Sequence, residues 1–477
     1  MILNNQRQEA YEAGKEQAKR STITEALGYM IGKYVILPLV KLITAYFLSI
    51  LWVVFFLFMA GRSIWLGIIA AALLGAAIYF PQTRIFSLIG PFIAQRERKK
   101  QAVRLAKGND MLRMTGIVST NDEDEYEAEA YEDNKGNIVL RILKPMYNVT
   151  SEDIINRLNE NIDKYGVKRI IKAEDDNAWL KILMFKADPL KAKQTIWEPQ
   201  PLDEEAMRVV CAVDSVGEKQ SISFKNTSGM TVAGVPGSGK TAGLTSFLLP
   251  VALSEDVELA IIDGKGGHDW AEYKPICSYY SNDDEDLQAM KDYLEAAVQD
   301  MRERVQTMPA KLGVANFWSA SLERRRAAGV KHKIIVIDEC QNFFEKRTNK
   351  EENALIQEIL RLSTSLVKKG RSAGITLIAT TQKPTSESLP TGLRDNCSLK
   401  ICFEVNTKEA QKAALGDVAL DDSNSALAIS DNPGEAVIVG EGGKPLNVRF
   451  FYMKPDTQKM FIDDEVAKRK TAGVTSL

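Results

Sequence analysis

The feature that most constrains the fold is a glycine-rich loop at residues 230–241, with the sequence MTVAGVPGSGKT. It matches the pattern G-x-x-x-x-G-K-[ST] through Gly234, Gly239, Lys240 and Thr241. Such a loop follows a strand and opens a helix, so that its backbone N–H groups converge on a phosphate chain. The flanking sequence agrees, because Thr231–Ala233 is typical of a strand end and Ala242–Leu253 of an apolar helix. The loop therefore predicts a nucleoside triphosphate site in an α/β fold.

The residue types of this loop assign a task to each part of it. We expect phosphate contacts from Gly234, Val235, Pro236, Gly237, Ser238, Gly239, Lys240, Thr241 and Ala242. Glycines allow the backbone to turn sharply, and the positive end of the helix dipole attracts the anion. The Lys240 ammonium would reach the β- and γ-phosphates, and the Thr241 hydroxyl would hold Mg²⁺.

Acidic and amide side chains follow two further predicted strands. Lys333–Asp338 is an apolar strand that ends in Asp338 and continues with Glu339. Asp338 would hold Mg²⁺ through water, and Glu339 would polarise the water that attacks the γ-phosphate. The strand at Gly374–Thr381 leads into Gln382, whose side chain would sense the γ-phosphate. With the loop, these residues predict ATP as the substrate and hydrolysis as the reaction.

The chain divides into six predicted segments. They are a cytosolic N-terminal segment at 1–33, a transmembrane helix hairpin at 34–80, a basic juxtamembrane linker at 81–108, a small α+β adaptor-like domain at 109–204, a P-loop ATPase motor domain at 205–455 and a polar tail at 456–477. Within the motor domain, strands alternate with helices, which predicts a parallel sheet with helices on both faces. Further strands are predicted at Glu258–Asp263, Ala436–Val439 and Val448–Phe451. Helices are predicted at Asp286–Val305 and Asn353–Lys369.

The small domain is predicted from shorter elements. Strands are expected at Asn137–Leu143, Arg169–Ala173 and Trp179–Phe185, and a helix at Ser151–Tyr165. Ser151 would cap this helix, although Ile154 makes its capping box imperfect. The acidic segment Asp122–Asp133 is expected to be a solvated loop.

Two apolar runs lie near the N-terminus, at Leu42–Ala60 and Ile64–Phe80, separated by Gly61-Arg62-Ser63. Their lengths are close to the roughly 20 residues that span a bilayer, which predicts two membrane spans. A buried pair of core helices and a cleaved signal peptide are the alternatives. Basic residues after the second run predict a cell-membrane protein with both termini in the cytosol.

Composition excludes several classes of function. The formal net charge of -2 excludes a globally basic nucleic-acid coat, so DNA contacts would come from local loops or a pore. Five cysteines without a C-x-x-C pair indicate a reducing compartment. The two histidines, His268 and His332, are expected in loops or at strand edges, which makes a zinc site improbable.

Further stretches resemble the FtsK/SpoIIIE family of DNA-translocating ATPases. They are Ile261–Gly266, Asp300–Arg304, Ile335–Glu339, Gly370–Pro384 and Gly392–Asn396. The resemblance covers residues 205–455 well and 140–200 weakly. It implies a RecA-like motor in which Lys240, Glu339 and Gln382 are catalytic.

The resemblance also implies an assembly and a cargo. Such motors form homo-hexameric rings with ATP at subunit interfaces and DNA in the pore. An arginine of the neighbouring subunit would complete each site, and Arg304 is the first choice, with Arg371 second. Lys265 and the cluster Arg324-Arg325-Arg326 are candidate DNA contacts, although such a cluster is often only a solvated face.

The layout differs from the chromosome-segregating members, which carry more spans, a long linker and a winged-helix domain. It is similar to coupling proteins of Gram-positive conjugative elements, which implies a membrane-embedded protein that works with a conjugation channel and DNA-processing (relaxase) proteins. Two alternatives stay open. One is the ATPase of a protein secretion system, and the other is a nucleotide-gated scaffold that docks a DNA-processing complex.

Overall fold

The computed structural model of the chain describes residues 95–116, 127–143, 150–173, 179–267, 269–418, 424–429 and 431–471. The chain consists of two compact units, Met1–Ala187 and Asp188–Leu477. The division between them falls before the predicted boundary at residue 204.

The first unit contains a four-stranded antiparallel sheet with helices against it. Its elements are α1 (95–114), β1 (Ala128–Glu132), β2 (Ile138–Leu143), α2 (Ser151–Glu160), a 3-10 turn (Ile162–Tyr165), β3 (Arg169–Lys172) and β4 (Trp179–Phe185). The strand order is β1-β2-β4-β3. Apolar side chains of α1, α2 and the sheet form one core, in which Leu112, Leu140 and Leu158 are fully buried.

Two local predictions for this unit are corrected. Residues 128–132 form strand β1 rather than a solvated loop, because the alternating Ala128 and Ala130 are buried against the core. Helix α2 is capped by Thr150 rather than Ser151. The Thr150 hydroxyl accepts the Asp153 N–H, and the Asp153 carboxylate accepts the Thr150 N–H, so the capping box is complete one residue earlier.

The second unit is built on a mixed sheet that has eleven strands among the described residues. They are β6 (Leu202–Asp203), β7 (Arg208–Asp214), β8 (Lys219–Ser223), β9 (Gly229–Ala233), β10 (Val257–Asp263), β11 (Tyr279–Ser281), β12 (His332–Asp338), β13 (Ile375–Thr381), β14 (Leu399–Phe403), β15 (Glu435–Val439) and β16 (Pro445–Phe450). The order is β11-β10-β12-β13-β9-β14-β15-β16-β7-β6, and β8 pairs with β7. Two short strands, β5 (Thr195–Ile196) and β17 (Tyr452–Met453), pair separately.

This sheet is parallel only in its first part. The six strands from β11 to β14 run parallel, as predicted, whereas β15, β16, β7, β6 and β8 continue the sheet antiparallel. The parallel strands β12 and β13 are buried along nearly their whole length, as expected for strands covered on both sides.

The second unit has eight helices among the described residues, and several of them begin at side-chain caps. They are α3 (Lys240–Ala252), α4 (Leu287–Leu312), α5 (Leu322–Ala327), α6 (Gln341–Phe344), α7 (Lys350–Ala373), α8 (Thr391–Arg394), α9 (Lys408–Leu415) and α10 (Pro455–Thr471), with 3-10 turns at Ala271–Ile276 and Phe317–Ser319. Asp286 caps α4 and Asn349 caps α7 through side-chain acceptors. Gly374 ends α7 with a φ of 67°, a left-handed conformation that suits glycine.

The C-terminal residues predicted as a polar tail are a helix of the second unit. Within α10, the Ile462 side chain is buried in the main core. Arg469 donates hydrogen bonds to the carbonyls of Ala252 and Ile276, at 3.2 and 3.3 Å. The prediction failed because a single buried residue gives a 17-residue helix almost no apolar stripe.

The predicted membrane location is corrected. A membrane helix needs about 20 predominantly apolar residues, and no helix among the described residues is both long and apolar enough to cross a bilayer. This finding overturns the prediction of a two-span membrane protein. The predicted N-terminal segment 1–33 and hairpin 34–80 lie outside the described residues.

Candidate active site

The glycine-rich loop connects β9 to α3 at the carboxyl end of the parallel strands. Gly239 precedes the helix with a φ of 89°. Behind it, the Gly434 N–H donates to the Ser238 carbonyl at 2.8 Å. A Cβ atom on Gly239 would lie 2.4 Å from the Gly434 nitrogen, so only glycine fits there. Residues 433–435, which are almost 200 positions later in the sequence, therefore restrict the conformation of the loop.

The backbone of the loop is tied to both neighbouring strands. The Gly234 N–H donates to the Thr381 carbonyl at 3.2 Å, and the Val235 N–H donates to the Glu404 carbonyl at 3.0 Å. No side chain caps α3, and the N–H groups of a first helical turn lack carbonyl partners within their own helix. The predicted phosphate cradle is thus a fixed loop that leads into a helix N-terminus.

The Lys240 side chain lies among the two predicted acids. Its Nζ is 2.5 Å from Glu339 Oε1, 3.5 Å from Asp338 Oδ1 and 3.3 Å from Thr380 Oγ1. Lys240, Asp338 and Glu339 are each no more than 5 % exposed. The structure therefore brings together three of the predicted site residues in one buried cluster of one lysine and two acidic side chains.

Asp338 is held by three different donors. The Trp270 indole Nε1–H donates to Oδ2 at 2.8 Å, and the Thr380 hydroxyl donates to Oδ1. Burial alone would raise the pKa of Asp338, but the Lys240 ammonium and these two hydrogen bonds outweigh burial and hold the pKa below its usual range. Asp338 is therefore an anion at neutral pH.

Glu339 has a strained backbone and a clamped side chain. Its φ of 47° is in the left-handed region, which costs a non-glycine residue of the order of 1–3 kcal/mol. Oε1 accepts Lys240, whereas Oε2 accepts the Gln341 side-chain amide at 2.7 Å and the Gln382 backbone N–H at 3.1 Å. Gln382 thus lies beside Glu339 as predicted, and its backbone N–H makes the contact.

The carboxylate oxygens at the carboxyl ends of β10 and β12 fit Mg²⁺. Asp263 is the last residue of β10 and pairs in register with Asp338, the last residue of β12. Its Oδ2 is buried without a hydrogen-bond partner, and burial, with the nearby Asp338 charge, raises its pKa. Mg²⁺ prefers oxygen ligands and keeps several waters. No cluster of three or more His, Cys, Asp or Glu residues that could cage a metal occurs in the described part of the chain.

Arg304 and Arg371, the candidates for the arginine supplied in trans, lie away from this cluster. Arg304 donates to Asp300 at 2.9 Å and to the Lys331 carbonyl at 2.7 Å. Lys331 precedes β12, so Arg304 lies at the amino end of this strand, whereas the cluster lies at its carboxyl end. Arg371 is half-exposed and 3.4 Å from Glu441. Both are bound within their own chain, and their role at a neighbouring site stays a prediction.

The basic cluster at residues 324–326 is largely structural. Arg325 is buried over the Phe317 ring at 4.8 Å, and Arg326 forms a bidentate pair with Asp256. Arg324 is exposed and takes part in neither of these contacts. Lys265 is exposed and pairs with Asp269 at 2.8 Å. These bonds leave Lys265 and Arg324 as the accessible candidates for DNA contact.

The histidine prediction is partly corrected. His332 begins strand β12, yet it is fully buried among Phe224, Phe317 and Trp318 rather than lying at an exposed edge. His268 is outside the described residues. All five cysteines are free.

Sequence reasoning missed three site residues. Trp270 and Thr380 hold Asp338, and Gln341 holds Glu339. Gln341 lies two residues after Glu339, so its contact with this carboxylate could have been predicted from the sequence. Trp270 is 68 residues from Asp338 along the chain, and no local pattern reports that contact.

Part of the chain is similar to known proteins. Residues 194–391 match the model of the FtsK/SpoIIIE family. The DNA translocase FtsK of Corynebacterium glutamicum is 22% identical over 306 residues, which cover 60% of this chain and 31% of that protein. The Ftsk domain-containing protein YdcQ of Bacillus subtilis is 27% identical over 198 residues, which cover 41% of this chain and 38% of that protein. This chain therefore spans less than half the length of these relatives.

One solved structure resembles most of the fold. The pCW3 conjugation coupling protein TcpA, in its monomer form with ATPγS, aligns with a TM-score of 0.51 and 18% identity. The alignment covers 77% of this chain and 99% of that one. The predicted resemblance and the predicted class of ATPase are confirmed. Residues 194–391 of this chain are therefore similar to the FtsK/SpoIIIE family, whose model they match.

Proposed function

We propose that this chain is an ATP-hydrolysing motor that translocates DNA. The observation that carries the proposal is the buried cluster of Lys240, Asp338 and Glu339 at the carboxyl ends of β9 and β12, the two strands that flank β13. A phosphate-binding lysine, a metal-holding aspartate and a proton-accepting glutamate are the groups that hydrolysis of a γ-phosphate needs. The family relatives named as DNA translocases support DNA as the cargo.

ATP binding requires one rearrangement of the cluster. The phosphates would lie against the loop N–H groups and the start of α3, where the helix dipole favours anions. Lys240 would exchange its contacts with Asp338 and Glu339 for the β- and γ-phosphates. This exchange keeps the ammonium paired with an anion, while Asp338 keeps its hydrogen bonds from Trp270 and Thr380 and Glu339 keeps those from Gln341 and Gln382.

Mg²⁺ would be held by the Thr241 hydroxyl and, through water, by Asp338. When bound, it would neutralise charge on the β- and γ-phosphate oxygens. The hydrogen bonds from Trp270 and Thr380 keep the Asp338 carboxylate ionised and oriented. Departure of Lys240 frees a lone pair on Asp338 Oδ1 for a water ligand.

Glu339 would act as the general base. It takes a proton from the attacking water while the water oxygen bonds to the γ-phosphorus and the bond to the ADP oxygen breaks. The products are ADP and inorganic phosphate, and the proton on Glu339 then returns to solvent. The Gln382 side chain, next to this carboxylate, would contact the γ-phosphate.

We further propose a homo-hexameric ring that acts on DNA through Lys265 and Arg324, with Arg304 or Arg371 completing a neighbour's site. The finer proposal is that the motor is the coupling protein that delivers DNA to a conjugation channel and its relaxase. It is supported by the fold that 77% of this chain shares with a conjugation coupling protein.

The test measures ATP hydrolysis by the full chain with double-stranded DNA, single-stranded DNA and no DNA. We expect strong stimulation by DNA in the wild type. Glu339→Gln should bind ATPγS but lose turnover, whereas Glu345→Gln, which pairs with Lys383 outside the cluster, should retain it. Stimulation by neither DNA would favour a protein-secretion ATPase or a scaffold. Retained hydrolysis in Glu339→Gln would exclude Glu339 as the base.

A further inference from the structure

The two oxygens of the Glu339 carboxylate have different fates during the proposed reaction. Oε1 accepts Lys240, which must leave when the phosphates bind. Oε2 accepts Gln341 Nε2 at 2.7 Å and the Gln382 N–H at 3.1 Å, and neither of these donors is a phosphate ligand. ATP binding would therefore free Oε1 to accept the proton of the attacking water, while Oε2 stays held.

Gln341 is itself fixed from the other side. Its Oε1 accepts the Thr381 hydroxyl at 2.7 Å, and Thr381 is the last residue of β13. A primary amide rotates freely unless both ends are bound. Here the oxygen and the nitrogen are both used, so the amide bridges the end of β13 to the carboxylate that follows β12.

The backbone at Glu339 explains why such a bridge is needed. Its φ of 47° lies in the left-handed region, which is strained for a residue that carries a Cβ atom. Gln341 begins the short helix α6 directly behind it, and the adjacent Asn342 side chain donates to the Gly264 carbonyl. Residues 341 and 342 thus tie the segment after β12 to β13 on one side and to the loop after β10 on the other.

From this geometry we infer that Gln341 is the positioning residue of Glu339: it holds Oε2 in place after Lys240 has moved to the phosphates. The inference rests on the proposed ATP hydrolysis. Gln341 acts through Glu339 and touches neither the phosphates nor the attacking water. It should therefore affect the rate of hydrolysis and leave nucleotide affinity unchanged.

The test compares the full-length wild type with Gln341→Met, which preserves side-chain volume and removes both hydrogen bonds, and with Gln341→Ala. We expect kcat to fall at least about 10-fold in both variants, with KM and the ATPγS dissociation constant within about 2-fold of the wild type. Thermal melting of each variant checks that it is folded.

Thr381→Val supplies a second, independent arm, because it removes the donor to Gln341 and keeps the shape. It should lower kcat in the same direction by about 3- to 10-fold. The double variant Gln341→Met/Thr381→Val should be no slower than Gln341→Met alone, because both substitutions break the same hydrogen-bonded bridge from Thr381 to Glu339. A purely structural role would instead give additive losses and a raised KM.

The outcomes separate the inference from the function on which it rests. An active wild type with a Gln341→Met kcat within 2-fold of it, or additive losses in the double variant, overturns the role of Gln341 alone. A folded wild type that hydrolyses no ATP, with or without DNA, overturns the proposed function and the inference together.

Discussion

Lys240 Nζ and Glu339 Oε1 are 2.5 Å apart in a site where both side chains are only 4 % exposed. The phosphate-binding cation is thus paired with the carboxylate that would act as the base. Any triphosphate must break this pair to gain the lysine. The pair therefore competes with the ligand, and its strength lowers the affinity for ATP.

Removing that competition should tighten binding. We expect Glu339→Gln to bind ATPγS about 10-fold more tightly than the wild type, because a charged hydrogen bond is worth about 1.5–3 kcal/mol and the neutral amide holds Lys240 less strongly. Titration calorimetry gives the dissociation constants. Glu345→Gln makes the same change in net charge outside the cluster and should leave the constant unchanged. Equal or weaker binding by Glu339→Gln would contradict the competition.

Two glycines of the loop offer a matched comparison of backbone fit. Gly237 and Gly239 have φ angles of 82° and 89°, but only a Cβ on Gly239 would strike Gly434. We expect Gly237→Ala to cost about 1 kcal/mol of unfolding free energy and Gly239→Ala about 1–3 kcal/mol more. Urea unfolding measures both. Equal losses would mean that the contact with Gly434 does not constrain the loop.

The buried His332 should make stability depend on pH. Burial, with the nearby Arg304 and Arg325 charges, lowers its pKa from 6.5 to about 3. The unfolded chain takes up the proton first as the pH falls, so this contribution to stability is complete above pH 6.5 and is lost progressively toward pH 3.

His332→Phe should remove that dependence while keeping an aromatic ring in the core. Between pH 6 and pH 5 we expect the wild type to lose about 1.2 kcal/mol of unfolding free energy more than the variant does. Urea unfolding at each pH provides the values. Parallel pH profiles for the two proteins would rule out His332 as the source.

The C-terminal helix α10 should stabilise the second unit through one side chain. Ile462 is 1 % exposed, whereas Met460 on the same helix is 49 % exposed. We expect Ile462→Ala to lower the unfolding free energy by about 2–5 kcal/mol and Met460→Ala by less than about 0.5 kcal/mol. Thermal or urea unfolding distinguishes them, and similar small losses would restore the prediction of a polar tail.

Local patterns predicted strands in the sheets of both units. The strand at Trp179–Phe185 has the predicted bounds, and those at Val257–Asp263 and His332–Asp338 begin one residue earlier than predicted. Each is a short apolar run with β-branched residues, which is a strong local signal. Short or mixed segments such as β8 and β14 carry no such signal and were missed.

The sequence by itself determined the chemistry of the site, because the loop, Asp338 and Glu339 each lie in a contiguous motif whose residue types serve one reaction. Only the tertiary structure decided how these groups meet. Lys240 and Glu339 are 99 residues apart along the chain, and Trp270 reaches Asp338 from a third segment. The physical reason is that residue type is a local property, whereas hydrogen-bond partners of buried groups are chosen by the packing of strands distant in sequence.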